Sequence, residues 1–273
     1  MIEPARLSLN TATLKEQWTL ADCIEGCVRH GIGGIAPWRD KLIECGVEEA
    51  ARRIRDAGLR VSGLCRGGWY TVDGRLSDAV VDDNFRAVDE AEAIGAECLV
   101  MVVGGLSPGS RDIVAARELV AEGLQRTLEY ARLARVPVAI EPLHPMYAAD
   151  RACVNTVGQA LDLCDLLGTG IGVALDVYHV WWDPDLAAGI ERAGSEQLLA
   201  FHICDWLVPT NDLLLDRGMP GDGVIDLSGI KRMVDATGYK GLIEVEIFSE
   251  HDWWTRDPDE VLRIMVERGR SIT

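Results

Sequence analysis

Four stretches in the second half of this 273-residue chain read as buried β-strands that end in an acidic residue or a histidine: VPVAIEPLH (136–144), GIGVALDVYHV (170–180), LLAFHICDW (198–206) and GLIEVEIFSE (241–250). Near-continuous apolar strands are typical of a parallel sheet that is covered on both faces. A titratable side chain at the end of a buried strand costs free energy unless another group pairs with it. The four stretches therefore predict a parallel sheet with a polar site at the ends of its strands.

The alternation of a strand-like run with a helix-like segment extends over the whole chain. The earlier apolar runs are RLSLN (6–10), GIGGIAPW (31–38), LRVSGLCRGGW (59–69) and ECLVMVVGG (97–105). Each of them precedes a segment with helical periodicity. Several predicted helices end in a glycine that would suit a left-handed cap, namely Gly31, Gly58, Gly95, Gly168, Gly194 and Gly238.

Eight strand–helix units predict an α/β protein, a single (β/α)8 TIM barrel formed by one domain over residues 1–273. A doubly wound open sheet is the alternative. That fold binds dinucleotides at a GxGxxG turn after its first strand, and no such turn follows the first strand here.

Composition restricts the class of substrate and the compartment. A formal net charge of -17 disfavours a surface that follows nucleic-acid phosphates, so we expect a small-molecule substrate. The eight cysteines show no CxxC pair, and Cys23 and Cys27 fit the apolar face of a helix better than a redox or metal pair. The first residues lack the apolar run of a signal peptide, and no stretch is long enough to span a bilayer. We therefore expect a cytoplasmic protein with reduced thiols and no membrane partner.

The last four strand-like runs carry the strongest chemical signal. In (β/α)8 barrels the carboxyl ends of the strands carry catalysis, and the candidates there are Glu141, Asp176, His202 and Glu246. This oxygen-rich set suits a divalent cation such as Mn²⁺, Mg²⁺ or Co²⁺, with Zn²⁺ as a further candidate. The alternative is a set of ordinary buried ion pairs in which His202 is a core histidine.

The ordered set Glu141, Asp176-x-x-His179, His202 and Glu246, with GDG (221–223) and GYKG (238–241), resembles the xylose isomerase-like TIM-barrel family. Its sugar phosphate isomerase/epimerase branch is the closest match, and the resemblance covers essentially the whole chain. The resemblance implies a metal, Mn²⁺ in the first place, held by the four residues above. It also implies that Glu141 and Glu246 exchange a proton on either face of the carbon next to a carbonyl.

The sequence predicts further site residues, some of which also fit a purely structural role. By resemblance, His179 and Arg217 contact the substrate, although the residue types alone also fit a surface-loop histidine and a solvated ion pair. Glu244 and Glu246 point to the same side of the last strand. Glu246 matches the E-x-F pattern of the family, and Glu244 is expected to lie beneath it as the partner of an arginine or lysine.

Tryptophans follow several strands. Trp38 and Trp69 are candidates for stacking against the C–H faces of a sugar, and packing under loops or an oligomer interface is the alternative.

His144 departs from the family pattern, in which a polar residue such as Asn and then an acid often follow the metal-binding glutamate. A histidine at this position could act as a free general base or could orient the residues around the metal. If it is a base, dehydration or β-elimination becomes attractive.

The sequence thus predicts a metal-dependent isomerase or epimerase of a sugar, keto-sugar or polyol that abstracts a proton next to a carbonyl. The alternative is a lyase of the same barrel, either an inosose or dehydroshikimate dehydratase or an enzyme that cleaves a 3-keto-glycoside with a small partner subunit. A homo-oligomer is a further possibility. DNA repair is disfavoured by the net charge, and a non-catalytic binding barrel is the remaining class. The absence of a Gly-rich phosphate cradle favours an unphosphorylated substrate.

Overall fold

The computed structural model describes all residues from Met1 to Thr273. The strands are β1 (Leu7–Asn10), β2 (Gly34–Ala36), β3 (Arg60–Val61), β4 (Leu64–Gly68), β5 (Leu99–Val102), β6 (Val138–Ile140), β7 (Ile171–Asp176), β8 (Leu198–Ile203), β9 (Asp205–Trp206), β10 (Arg217–Gly218) and β11 (Ile243–Val245). The helices are α1 (Leu20–His30), α2 (Arg39–Cys45), α3 (Val47–Asp56), α4 (Asp78–Ile94), α5 (Ile113–Ala134), α6 (Val157–Leu167), α7 (Val177–Val180), α8 (Leu186–Gln197), α9 (Leu227–Ala236) and α10 (Pro258–Ser271).

Nine strands form one parallel sheet in the order β3-β2-β1-β11-β8-β7-β6-β5-β4. A parallel bridge between Trp38 and Cys65 joins the end of β2 to β4 and brings the two edges of the sheet together. The predicted TIM barrel is confirmed. The third predicted strand is interrupted at Ser62 and Gly63, so that it appears as β3 and β4. The remaining two strands, β9 and β10, form a separate antiparallel pair above the barrel strands.

The eight predicted helices are present, and two short ones, α2 and α7, were not predicted. Helix starts have side-chain caps, as in the capping box between Thr19 and Asp22 at α1. Gly31 and Gly95 adopt the left-handed conformation expected of a C-terminal cap. Gly168 and Gly194 also have positive φ, but their ψ angles of -143° and -163° lie outside the left-handed helical region, so the predicted cap type is wrong at these two positions.

The barrel interior is lined by small side chains where the strands begin. Cys98, Val100, Ala139, Ala174 and Ala200 form a small buried cluster of their own, separate from the large core between the sheet and the helices. Side chains alternate across a strand, so the residues two positions further on also face the interior. For β6, β7 and β8 these residues are acids and a histidine.

All eight cysteines are free thiols. Cys23 and Cys27 are 1% and 0% exposed and pack in the large core. The interpretation of this pair as core packing is confirmed.

Candidate active site

Four side chains converge at the carboxyl end of the barrel. They are Glu141 directly after β6, Asp176 at the end of β7, His202 in β8 and Glu246 directly after β11. These strands are consecutive in the sheet, and Asp176 and His202 are paired in register. One ligand atom from each residue lies within 4.8 Å of the others, and all four residues are buried. The strand-end pattern of the sequence therefore becomes a compact cluster.

The chemistry of this cluster fits a divalent cation. Three carboxylates and one imidazole are an oxygen-rich donor set. His202 Nδ1 lies 3.2 Å from Oε1 of Glu141, whereas the buried Nε2 atom of His202 has no hydrogen-bond partner. A buried nitrogen without a partner is unusual in a folded protein. The residues present could therefore hold a metal ion.

The electrostatics of the metal-free cluster favour bound protons. Burial by itself lowers the pKa of the His202 imidazole, but the carboxylates of Glu244, Glu141 and Glu246 together outweigh burial and raise the pKa to about 10. Burial raises the pKa of the Glu246 carboxyl to about 8, although the nearby Arg217 charge opposes this rise. Crowded acids without a cation keep protons that a metal ion would displace.

Glu244 lies beneath the cluster in a network of neutral groups. Asn10 Nδ2 donates to Oε1 of Glu244 at 2.6 Å and to Oε1 of Glu246 at 2.9 Å. Ser62 Oγ donates to Oε2 of Glu244 at 2.6 Å, and Ser8 Oγ lies 2.7 Å from Ser62 Oγ. The expected arginine or lysine partner of Glu244 is therefore wrong. Short polar side chains from β1 and from the break between β3 and β4 reach the barrel interior where a long cation was expected.

Arg217 is buried, with 2% of its surface exposed, and reaches the cluster from β10. Its Nη1 atom donates to Oε2 of Glu246 at 3.0 Å and to Oδ2 of Asp176 at 3.3 Å. The guanidinium lies between two aromatic rings, 4.3 Å from the centre of Tyr178 and 4.9 Å from that of Phe248. The structure thus brings Arg217 to the site, where it compensates two of the clustered acids.

His179 is buried in α7, so the surface-loop alternative for this histidine does not apply. Its Nε2 atom lies 3.7 Å from Oδ2 of Asp176 and 3.4 Å from Nη2 of Arg217. Its Nδ1 atom accepts from the backbone N–H of His144 at 3.3 Å. Burial, with the Arg217 charge, lowers the pKa of His179 well below its usual range, so this imidazole is neutral.

His144 caps the short 3-10 helix over residues 145–147, because its Nδ1 atom accepts from the backbone N–H of Met146 at 3.2 Å. The ring packs near the indoles of Trp182 and Trp206, with centroids at 5.6 Å and 5.3 Å. A neutral imidazole that accepts at Nδ1 carries its proton on Nε2 and has no lone pair there for a base. His144 also does not line the cavity described next.

A cavity of about 400 Å³, measured with its open mouth, lies above the cluster. It is lined by Trp38, Cys65, Arg66, Val102, Glu141, Leu143, Tyr147, Arg151, His179, Leu214, Arg217, Glu246 and Phe248. Of the two predicted substrate-binding tryptophans, Trp38 lines the cavity, whereas Trp69 lies behind Arg66, whose guanidinium is 4.5 Å from the Trp69 ring. Arg66 and Arg151 were not predicted, and their place in the strand-end loops was the only available signal.

Comparison with known proteins identifies the family. The model of the xylose isomerase-like TIM barrel family matches residues 22–268. The chain belongs to this family. None of its helices is both long and apolar enough to cross a membrane.

Named relatives in this family include two inosose isomerases and a dehydratase. The inosose isomerase of Bacillus velezensis is 23% identical over 98% of this chain and 96% of its own length. The inosose isomerase of Halalkalibacterium halodurans is 30% identical, but the match covers 44% of this chain and 42% of that protein. The 3-dehydroshikimate dehydratase of Pseudomonas aeruginosa is 25% identical over 88% of this chain, which spans 38% of the relative's length.

Solved structures agree with this assignment to the xylose isomerase-like family. A crystal structure of a Sinorhizobium meliloti 1021 protein has a TM-score of 0.95 and 58% identity, over 98% of both chains. The IOLI protein with a bound zinc atom has a TM-score of 0.80 at 20% identity, over 98% of this chain and 97% of that chain. D-allulose 3-epimerase from Methylomonas sp. has a TM-score of 0.78 at 20% identity, over 100% of both chains. The last two similarities show the shared fold.

Proposed function

We propose that this protein is a divalent-metal-dependent isomerase or epimerase of a sugar, keto-sugar or polyol, which moves a proton at the carbon next to a carbonyl. The observation that carries the proposal is the convergence of Glu141, Asp176, His202 and Glu246 within 4.8 Å in a buried cluster. These four side chains would hold the cation, with Mn²⁺ as the first candidate and Zn²⁺ supported by the zinc in the IOLI structure. When bound, the cation supplies positive charge that favours enolisation of a neighbouring carbonyl.

We infer that Glu141 and Glu246 transfer the proton. They follow β6 and β11, the two outer strands of the four-strand arc β6-β7-β8-β11, so they flank the cluster from two sides. Both also line the cavity. A substrate carbon held between them has one carboxylate on each face, so one group can remove a proton and the other can return it. Removal on one face and return on the other inverts the carbon.

The cavity suits a small polar ring. Its lining combines apolar rings with a few polar side chains, as in sites for small polar ligands. Trp38 and Phe248 meet edge to face on its wall, with ring centroids 5.5 Å apart, and present apolar surface to C–H groups. His179 and Arg217 supply polar contacts for substrate oxygens. The names of the relatives, inosose isomerase and D-allulose 3-epimerase, support a carbohydrate-like substrate over nucleic acid, in line with the net charge of -17.

A lyase is the second candidate, favoured by the match to 3-dehydroshikimate dehydratase over 88% of the chain. One experiment separates the two. The chelator-treated protein, reloaded with Mn²⁺ or Zn²⁺, is incubated in deuterated water with keto-sugars, inososes and dehydroshikimate, and the products are read by NMR and mass spectrometry. Isomerisation or epimerisation gives a product that contains solvent deuterium but otherwise has the same elemental composition as the substrate. A dehydratase instead gives a product that has lost water.

The matched variants are Glu141→Gln, Glu246→Gln and the control Glu250→Gln. Glu250 is exposed, lies in the loop after β11 and makes no side-chain hydrogen bond. The proposal predicts that the first two variants lose turnover while the control keeps it. Full activity in Glu141→Gln, or activity that is indifferent to chelation, would contradict it.

A further inference from the structure

Neither of two arginines on the cavity wall has a buried carboxylate partner that would explain its position. Arg66 makes no side-chain hydrogen bond or salt bridge within the protein, and the nearest acid to Arg151 is the exposed Asp150 at 4.0 Å. The other cavity arginine, Arg217, contacts both Asp176 and Glu246. The chain has 44 acidic and 27 basic side chains, so carboxylate partners are abundant. Arg66 contacts none of them and Arg151 only one exposed carboxylate at 4.0 Å, so most of their N–H donors are free to bind another group.

Aromatic rings hold these two guanidinium groups in place. The Arg66 guanidinium lies 4.5 Å from the ring centre of Trp69 and 5.7 Å from that of Trp38. The Arg151 guanidinium lies 5.3 Å from the ring centre of Tyr147. Stacking uses the flat face of a guanidinium and leaves the N–H groups at its edge available. Those edge donors match the paired oxygens of a carboxylate or a phosphate.

The surroundings of Arg66 on balance disfavour its charge. Burial lowers the pKa of the Arg66 guanidinium and the positive charge of Arg151 lowers it further, although Cys65 and Glu141 oppose this change. Two like charges that share a cavity wall repel each other, and an anion between them would relieve the repulsion.

Arg66 and Arg151 come from a different part of the barrel than the acid cluster. Arg66 belongs to β4, and the backbone oxygen of Arg151 accepts from Gly104, just beyond the end of β5. The three acids and the histidine of the cluster lie on or directly after β6, β7, β8 and β11, on the far side of β5 from β4. A ligand that spans the cavity would therefore meet the cluster at one end and the arginines at the other.

We propose that Arg66 and Arg151 form an anion subsite that selects substrates with a carboxylate or a phosphate remote from the reacting carbon. The proposal rests on the proposed function in one respect, namely that the substrate occupies this cavity. It narrows the substrate class from polyols in general to anionic polyols. Carboxylate and phosphate share the required chemistry, and the experiment has an arm for each.

The test measures binding, so it does not depend on turnover. Tryptophan fluorescence and calorimetry follow the titration of the protein, with Mn²⁺ and after chelation, with three probes: quinate, myo-inositol 1-phosphate and uncharged myo-inositol. We expect at least one anionic probe to bind roughly tenfold more tightly than myo-inositol, because hydrogen bonds to charged groups are strong. Preference for quinate alone identifies a carboxylate subsite, and preference for the inositol phosphate identifies a phosphate subsite. Equal affinities for all three probes would refute the proposal.

Variants then assign the preference to the arginines. Arg66→Gln and Arg151→Gln should each reduce the preference for the anionic probe over myo-inositol. The double variant should abolish this preference, whereas Arg66→Lys should keep part of it. The control is Arg55→Gln, because Arg55 is exposed on α3 and has no side-chain partner. Circular dichroism and thermal melting show whether each variant is folded. A preference that survives in the folded double variant but disappears on chelation would place the anion on the metal and overturn the proposal. If the wild-type protein prefers an anionic probe but turns over none of the candidate substrates, the result contradicts the proposed function and leaves the anion subsite standing.

Discussion

Arg217 donates from Nη1 to Oε2 of Glu246 at 3.0 Å, and both side chains are buried at the carboxyl end of the barrel. The same nitrogen lies 3.3 Å from Oδ2 of Asp176. One guanidinium therefore contacts two of the four clustered side chains. Removing one partner of a buried ion pair leaves an uncompensated charge, which is far more damaging than losing an exposed pair.

Arg217→Met should therefore destabilise the metal-free protein by about 3–5 kcal/mol, as expected for a broken buried pair. Added Mn²⁺ should recover part of this loss, because the cation also neutralises the acids. Urea unfolding with and without Mn²⁺ measures both effects. The control is Arg268→Met, which removes a 39% exposed partner of Asp222 and should cost no more than about 1 kcal/mol. Equal losses in the two variants would contradict the assigned role.

The stability of the metal-free protein should fall between pH 6 and pH 9. The pKa of Glu246 is raised to about 8 and that of His202 to about 10, so the folded state binds more protons than the unfolded state in this window. When the folded state binds more protons, stability decreases as pH rises through the folded pKa values. Thermal melting in the presence of chelator, at pH 6, 7.5 and 9, measures this slope.

Metal should reverse that trend. Bound Mn²⁺ requires deprotonated ligands, so its stabilising effect should grow with pH. At 100 times the dissociation constant a ligand adds about 2.7 kcal/mol. For a domain of this size that corresponds to a rise in melting temperature on the order of 5 °C. A metal-induced shift that is the same at pH 6 and pH 9 would mean that these groups do not bind the ion.

Glu244→Gln should lower the pKa of His202. The charge of Glu244 is a major influence that raises this pKa, and its Oε2 atom lies 3.6 Å from His202 Nε2. NMR titration of the five histidines in the metal-free protein should show one group near pH 10 in the wild type and a lower value in the variant. Metal affinity should fall by roughly 10- to 100-fold, the usual effect of losing a group that orients a ligand. Glu250→Gln is again the control, and an unchanged histidine titration would contradict the network.

His144→Asn tests the general-base hypothesis for His144. Asparagine can accept from the Met146 N–H as His144 Nδ1 does, so it keeps the helix cap but cannot act as a base. We expect turnover within a few-fold of the wild type and an unchanged pH profile. His144→Ala should lose about 0.5–2 kcal/mol of stability through the missing cap. A loss of turnover by orders of magnitude in His144→Asn would instead support the base, and with it the lyase.

Gly123→Ala should destabilise the protein although alanine favours helices. An added Cβ at Gly123, in the middle of α5, would lie 2.3 Å from Cδ1 of Tyr70, which is fully buried. Overpacking of this kind costs about 1–3 kcal/mol, against a helical gain of about 1 kcal/mol. In the matched variant Gly158→Ala, on α6, the nearest atom is 3.9 Å away, so the helical gain should dominate. The urea midpoints of both variants are compared with that of the wild type. A change of the same sign in both variants would contradict the packing argument.

Much of the site was predictable because strand geometry is local. Ala139, Ala174 and Ala200 face the barrel interior, and the alternation of side chains carries Glu141, Asp176 and His202 to the same side two residues later. The repeated strand–helix pattern then requires these strand ends to meet at one end of a barrel. Position in the sequence was therefore enough to predict the cluster.

The partners of these groups were not predictable in the same way. The predicted cationic partner of Glu244 is absent, and its oxygens instead accept from Asn10 on β1 and from Ser62 in the break between β3 and β4, both far away in sequence. Arg66 and Arg151 were not predicted as site residues, because the local sequence does not show which side chains surround them in the folded barrel. Pairing depends on which distant side chains the closed barrel brings within about 3 Å, which is a tertiary property.

The sequence by itself determined the barrel and the four clustered strand-end residues, because each segment has its own hydrophobic periodicity and parallel strands align their ends. Only the tertiary structure decided that Arg217 contacts Asp176 and Glu246, that His144 caps a helix, and that Arg66 and Arg151 face the cavity without a buried carboxylate partner. Electrostatic pairing acts over a few ångströms between residues from separate strands and loops. Closure of the barrel sets those distances.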